Sequence, residues 1–198
     1  MDTRTKILAV AASEFAEHGL DGSRVDRIAA KAGVNKAMIY YYFHSKENLY
    51  QAVIESHVEK IGRFLEKTIA TENDLEAFVL ELAHFYDSML VENASFIPIL
   101  LREIAGGGER FRAALSNVIA EKGLIKRLQD IINAGIENGK FRRLDSKQAM
   151  ISFVGMNVFY LIAAQAINPI WEIHDEKAFR KNRPGEIVDL FLYGLKSR

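Results

Sequence analysis

Two short apolar patterns at helical spacing flank Gly33 in residues 24–43, and no other feature limits the fold so sharply. The first places Val25, Ile28, Ala29 and Ala32 on one face. The second places Ile39 and Phe43 at i and i+4. Helices this close in sequence must cross steeply, so the first needs a small residue at the closest approach, which Ala29 supplies. Gly33 makes a positive φ cheap in the turn. Val34 and Ile39 pin the second helix to the core. This spacing predicts a helix-turn-helix, whose second helix lies in the DNA major groove.

The outer face of the second helix supports that reading. Lys36, Ala37, Tyr40 and Tyr41 form an arc that is basic and aromatic with one small residue, where a solvated face is more usually rich in Glu and Lys. Residues 24–46 hold five basic residues and one acid, a local balance of +4. That is the electrostatic footprint phosphate binding requires. The 198-residue chain as a whole has zero formal net charge. Residues 1–54 carry +1, residues 55–109 carry −7 and residues 110–198 carry +6, so an acidic middle offsets basic flanks. Neutrality thus limits non-specific adhesion without excluding a nucleic-acid partner.

Around this pair the local signals are those of helix ends. A first helix is expected over Thr3–His18, with Gly19 as its stop and Asp21-Gly22 as a turn. Ser23 and Asn35 are read as N-caps of the two short helices, and Ser45 as the cap of a long one. The run Asp21-Gly22-Ser23, followed by Ile28-Ala29-Ala30-Lys31-Ala32-Gly33-Val34-Asn35-Lys36-Ala37-Met38-Ile39-Tyr40-Tyr41-Tyr42-Phe43-His44-Ser45-Lys46-Glu47-Asn48-Leu49, resembles the TetR family of bacterial transcriptional regulators. The resemblance covers about residues 5–54. It implies phosphate contacts at Ser23 and Lys46, with the basic Arg24 beside them. It implies base reading at Lys36, Ala37 and Met38, and contacts to backbone and base edges at Tyr40 and Tyr41. Met38 departs from the small or hydroxylated residue often found there, and either meets a thymine methyl or turns aside. Tyr42 belongs to the core or to the DNA side. Chemically, Lys36 suits guanine O6/N7 and hydroxyls suit phosphate oxygens.

Beyond Glu55 the pattern stays helical. Helices are expected near 74–91, 95–105, 109–138, 146–167 and 184–196. The breaks fall at Asn93, Gly106-Gly107-Gly108, Asn138-Gly139 and Asn168-Pro169. Asp145 reads as an N-cap and Pro184 as a first-turn proline. The expected architecture is all-α: a three-helix DNA-binding domain over 1–46, then a larger helical ligand-binding and dimerisation domain over 47–198. The stretch between Lys147 and Glu172 has no charge and is long enough to span a bilayer. Its Ser152, Asn157, Gln165, Asn168 and Pro169, in a chain of otherwise amphipathic helices, favour a helix buried on every side over a membrane span.

The resemblance implies a homodimer with a ligand cavity in each subunit. Small residues Gly155, Ala163, Ala164 and Ala166, and the Ile187, Leu190, Phe191 and Leu195 stripe, place the dimer contact on the helices near 146–167 and 184–196. Pocket candidates are Phe64, Phe85, Phe96, Phe111, His84, Asn157 and Tyr160, whose apolar company suits a small hydrophobic effector. The partners expected are therefore a palindromic double-stranded DNA operator, that effector and a second copy of the chain, with no membrane and a cytoplasmic location.

No catalytic constellation, metal site or cofactor is expected. There is no Cys. Glu81-x-x-His84 has di-iron spacing but occurs once. Gly106-Gly107-Gly108 follows a helix and lacks a Lys-Ser/Thr, so it is no phosphate loop. The apolar run Ile7–Ala12 is too short for a secretory leader. The competing reading is a helical small-molecule carrier or enzyme whose N-terminal module only packs.

Overall fold

The structure, a computed structural model, describes residues 2–71, 74–92, 95–120 and 123–195. These form ten α-helices and one π-helical turn. They divide into two compact units, one of Met1–Gly62 with Asn93–Glu121, the other of Arg63–Glu92 with Lys122–Arg198. This is a division by packing and is separate from the division of labour expected at residue 46.

In the first unit, α1 (Thr3–Gly22) starts at Asp2, whose carboxylate accepts from the Thr5 backbone N–H. Helical geometry breaks at Gly19 (φ 68°), the expected stop, before the last turn. α2 (Val25–Ala32) ends on Gly33 in the left-handed region (φ 62°). There the Val34 N–H donates to Ala29 C=O at 3.0 Å and the Gly33 N–H to Ala30 C=O at 3.1 Å, so two of the last four carbonyls of α2 are satisfied. α3 (Lys36–Phe43) is capped by Asn35, whose side chain accepts from the Met38 N–H at 2.9 Å. It ends at His44, itself at φ 66°. Ser45 then caps α4 (Lys46–Thr71) by accepting from the Asn48 N–H at 3.0 Å.

Ile7, Phe15, Ile28, Ile39, Leu49, Val53, Ile54 and Ile99 are fully buried in this unit. α6 (Phe96–Ala105) and α7 (Glu109–Leu115) complete it, followed by the π-turn Ser116–Ala120. At Gly62 of α4 an added Cβ would lie 2.0 Å from the Val118 methyl, so only glycine lets the two elements approach this closely.

The second unit packs α5 (Leu75–Glu92), α8 (Leu124–Glu137), α9 (Ser146–Ile170) and α10 (Glu176–Leu195). Its core holds Phe78, Val79, Leu82, Ile132, Phe153, Tyr160, Ile187 and Phe191. Asp145 caps α9 as expected, accepting from the Lys147 N–H at 2.8 Å.

Several sequence expectations need correction. Ser23 does not cap α2, because Arg24 holds the N-cap position without a side-chain bond and the Ser23 hydroxyl points back to α1. The single helix expected over 109–138 is broken, and α8 restarts after Gly123, which is left-handed at φ 62°. α9 runs past Asn168-Pro169 to Ile170, since Pro169 lies in the last turn and the stop comes at Glu172 (φ 54°). α10 begins at Glu176, eight residues before Pro184, with the Asp175 side chain accepting from the Ala178 N–H at 2.9 Å. Pro184 therefore sits inside the helix.

α9 is also not enclosed by its own chain. Phe153, Asn157 and Tyr160 are buried, whereas Ile151, Phe159, Ile162 and Ile170 are exposed. Among the described residues it is one helix long and apolar enough to cross a membrane by length and composition. The break expected at Asn93 and the end of the last helix at Lys196 lie outside the described residues.

Candidate nucleic-acid interface and effector cavity

α3 has an inner face and an outer face. Ile39 and Phe43 are buried, and each contributes roughly 1.5–3 kcal/mol by leaving water. Lys36, Ala37, Tyr40 and Tyr41 are exposed, and Met38 is half-buried. Tyr41 is the most open, at 77%. Tyr42 is exposed as well and meets the Tyr41 ring edge-on at 5.2 Å, which puts it on the outer side. The Arg4 guanidinium lies 5.4 Å from the Phe43 ring centroid and helps seat α3 on α1.

The charges of this module are less free than their count suggests. Glu14 on α1 is wholly buried. Its carboxylate accepts from Arg27 Nε at 2.6 Å and from Lys31 Nζ at 3.2 Å. Burial pushes the Glu14 pKa up, but the hydrogen bonds from Arg27 and Lys31 outweigh it and hold the group below its usual value. Two of the five cations are thus committed to structure. Lys36 pairs with Asp26 on α2 at 3.0 Å, in an exposed contact that raises the lysine pKa through that hydrogen bond and charge. Such a pair is screened by salt and readily exchanged for another anion. Arg24 is exposed at the start of α2.

Lys46 reaches back from α4 to the carbonyls of Asp21 and Ser23, at 3.4 Å each. The Ser23 hydroxyl is buried and donates to the Gly19 and Glu14 carbonyls. Ser23 and Lys46 together fix the turn from which α2 starts.

One residue that sequence reasoning missed is Arg102 on α6. Its Nη1 donates to the carbonyls of Phe15 at 3.0 Å and Ala16 at 2.7 Å, where α1 runs out of helical partners. Its aliphatic stem lies against Gly19. With more than 80 residues between the partners, no local signal could pair them.

The seven pocket candidates do not converge. Phe96 and Phe111 belong to the first unit, where Phe96 stacks on His57 at 4.2 Å. Burial lowers the His57 pKa, so this imidazole is neutral at pH 7. In the second unit, Phe64 stacks on Phe85 at 3.9 Å, and His84 is exposed.

Asn157 and Tyr160 line a common cavity, together with Ala83, Tyr86, Asp87, Leu161, Arg183, Pro184 and Ile187. Its free space is about 10 Å³, room for one water-sized group. Tyr160 donates to Asn168 Oδ1 at 3.0 Å, and burial pushes the Tyr86 phenol up to about 12. No group of three His, Asp or Glu able to hold a metal occurs among the described residues.

A short capped helix with an exposed basic and aromatic face, set on a second short helix by a left-handed Gly turn, defines the helix-turn-helix class. Residues 7–53 match the family described as bacterial regulatory proteins, tetR family. The chain belongs to that family. It is 34% identical over 141 residues to the HTH-type transcriptional repressor NicS of Pseudomonas putida, covering 71% of this chain and 66% of that protein. It is 47% identical over 53 residues to the HTH-type transcriptional repressor SCO4008 of Streptomyces coelicolor, covering 27% of this chain and 28% of that one. The chain thus spans just under two thirds of the first relative and much less of the second. The transcriptional regulator FadR of Bacillus subtilis, solved with stearoyl-CoA, superposes with a TM-score of 0.71 at 20% identity, covering 96% of this chain and 98% of that one. That likeness extends the shared fold beyond the N-terminal module.

Proposed function

We propose that this chain is a ligand-responsive transcriptional regulator that represses by binding a palindromic operator as a homodimer and is released by a small hydrophobic effector. The observation that carries the reading is α3, which buries Ile39 and Phe43 and leaves Lys36, Ala37, Tyr40 and Tyr41 open to a groove. Lys36 and Ala37 with Met38 read bases, Tyr40 and Tyr41 touch backbone and base edges, and Arg24 and Lys46 meet phosphates. Ser23 acts through the turn that its inward hydroxyl fixes. Residues 1–46 carry the DNA contacts and residues 47–198 the effector and dimer contacts, acting on chromosomal DNA in the cytoplasm.

One such helix makes too few base contacts for useful specificity, and two-fold pairing doubles them. The open apolar residues Ile151, Phe159 and Ile162 of α9 and Leu190 and Tyr193 of α10 supply the surface for that pairing. The repressors NicS and SCO4008 support the sign of regulation. Effector binding shifts the dimer between DNA-competent and incompetent states through its differential affinity for them.

Selection of bound sequences from random DNA tests the reading. A palindromic motif with half-sites about one helical turn apart is expected. No enrichment at moderate salt overturns it and favours a carrier or enzyme whose N-terminal module only packs.

A further inference from the structure

Residues 1–46 hold seven lysines and arginines. Five of these are engaged by the fold. Arg27 and Lys31 are held by Glu14, and Lys36 by Asp26. Lys46 donates to two carbonyls, and Arg4 lies over the Phe43 ring. The guanidinium of Arg24 and the ammonium of Lys6 have no ion pair or hydrogen bond among the described residues. Arg24 stands at the start of α2, where a phosphate contact is already expected. Lys6 is on the first turns of α1, outside the stretch whose charge marked the module.

Lys6 is exposed, while its neighbour Ile7 is fully buried. The backbone is therefore anchored at this point and the lysine side chain projects from it. Its Nζ lies 3.5 Å from where a Cβ on Gly33 would stand, so the ammonium of α1 reaches the turn between α2 and α3. In a helix-turn-helix the first helix of the pair crosses the DNA backbone, and the N-terminal residues of the second meet the bases. The turn that joins them, three residues before Lys36, thus stands at the phosphate wall of the groove. No acid answers the Lys6 charge. Asp2, one turn earlier, spends its carboxylate on the Thr5 N–H and hydroxyl at 2.9 and 2.7 Å. Glu14 and Asp26 are taken by the pairs above. The C-terminal end of α2 favours a cation beside it and leaves the three ammonium donors open.

We propose that Lys6 is a further DNA contact, its ammonium meeting a backbone phosphate beside the turn at Gly33. The inference rests on the DNA-binding half of the proposed function and adds α1 to the elements that touch DNA. A lysine is a compact point charge, which suits a phosphate and selects no base. The contact therefore adds affinity and register without sequence preference, and it releases about one counterion per subunit.

Salt titrations of the full chain from about 50 to 200 mM test this, on a duplex carrying the selected motif and on a random-sequence duplex. Lys6→Gln should weaken both duplexes by the same factor. It should also flatten the slope of log affinity against log salt by about 0.9 per bound subunit. Lys6→Arg should restore the parent slope. Lys147→Gln, which removes an exposed charge from α9, should leave the slope unchanged and controls for net charge. Ethylation interference on the selected duplex gives a readout that a merely structural lysine would not move. There Lys6→Gln should lose one phosphate in each half-site and keep the others. A parent slope in Lys6→Gln, an unaltered set of phosphates, or weakening of the selected duplex alone overturns the inference. Parent binding that Lys6→Gln leaves intact removes only this contact, whereas no binding by the parent to either duplex at the lowest salt removes the DNA reading and the contact with it.

Discussion

Glu14 and Arg183 are opposite answers to the same electrostatic problem. Glu14 is wholly buried in the first unit, and Arg183 is half-buried in the second. Around Glu14 the fold gathers Arg27 and Lys31, so one acid is held by two cations. Around Arg183 it gathers a carbonyl and aromatic rings and leaves one donor open. A group that must keep a module rigid is satisfied by its own chain.

The largest test of this contrast is Glu14→Gln. It strands Arg27 and Lys31, although both reach solvent and recover part of their hydration. We expect a loss of about 2–3 kcal/mol in unfolding free energy, read by urea denaturation. Arg102→Ala should cost less, about 1.5 kcal/mol, because the α1 carbonyls it leaves are near solvent. Its effect on operator affinity should exceed that of a surface arginine such as Arg143.

Arg183→Met should change the stability of the ligand-free protein by no more than about 1 kcal/mol, because it removes a cation that has no acid partner. A loss as large as that of Glu14→Gln would break the contrast.

Acid titration separates the contributions further. Glu14 sits below its usual value near 4.5, so its contribution is whole above that pH and is lost as pH falls through the folded value. His57 is depressed below 6.5 by burial, so its share is lost earlier, as pH falls below 6.5. A parent protein losing stability in two stages, and a His57→Phe variant losing it in the lower stage alone, would sharpen the assignment.

The smallest effects belong to the cations proposed to meet DNA. Lys46→Ala should reduce the salt slope of operator binding by about 1 while weakening all sequences alike. Lys36→Ala should relax preference at one base position.

The sequence spoke most clearly where its signals were local. Asn35, Ser45 and Asp145 cap helices because each side chain reaches a backbone N–H two or three residues on. Gly19 and Gly33 were legible because positive φ is cheap for glycine. The start of α10 had a local signal too, Asp175 three residues before Ala178, which the more conspicuous Pro184 obscured. The remaining features depend on contacts between distant residues. Glu14 lies ten residues ahead of the basic cluster, so counting charge over 24–46 missed the acid that absorbs two of its cations. Aromatic composition could not separate Phe96 from Phe64, because only folding assigns them to different units. Nothing near Arg183 in sequence shows that it lacks the acid partner that Arg180, three residues before it, has in Asp87.

Arg102 also bears on how readily the N-terminal module can be transplanted. Residues 1–46 invite grafting onto another helical body to create a regulator with a new input. The α1 end is completed by a side chain from outside that segment, and the same side chain fills the space over Gly19. A graft cut at residue 46 carries the recognition helix intact and leaves two backbone carbonyls of α1 without their donor. A recipient would need arginine at the corresponding place on its sixth helix, and an apolar core to replace that of Leu49, Val53 and Ile99.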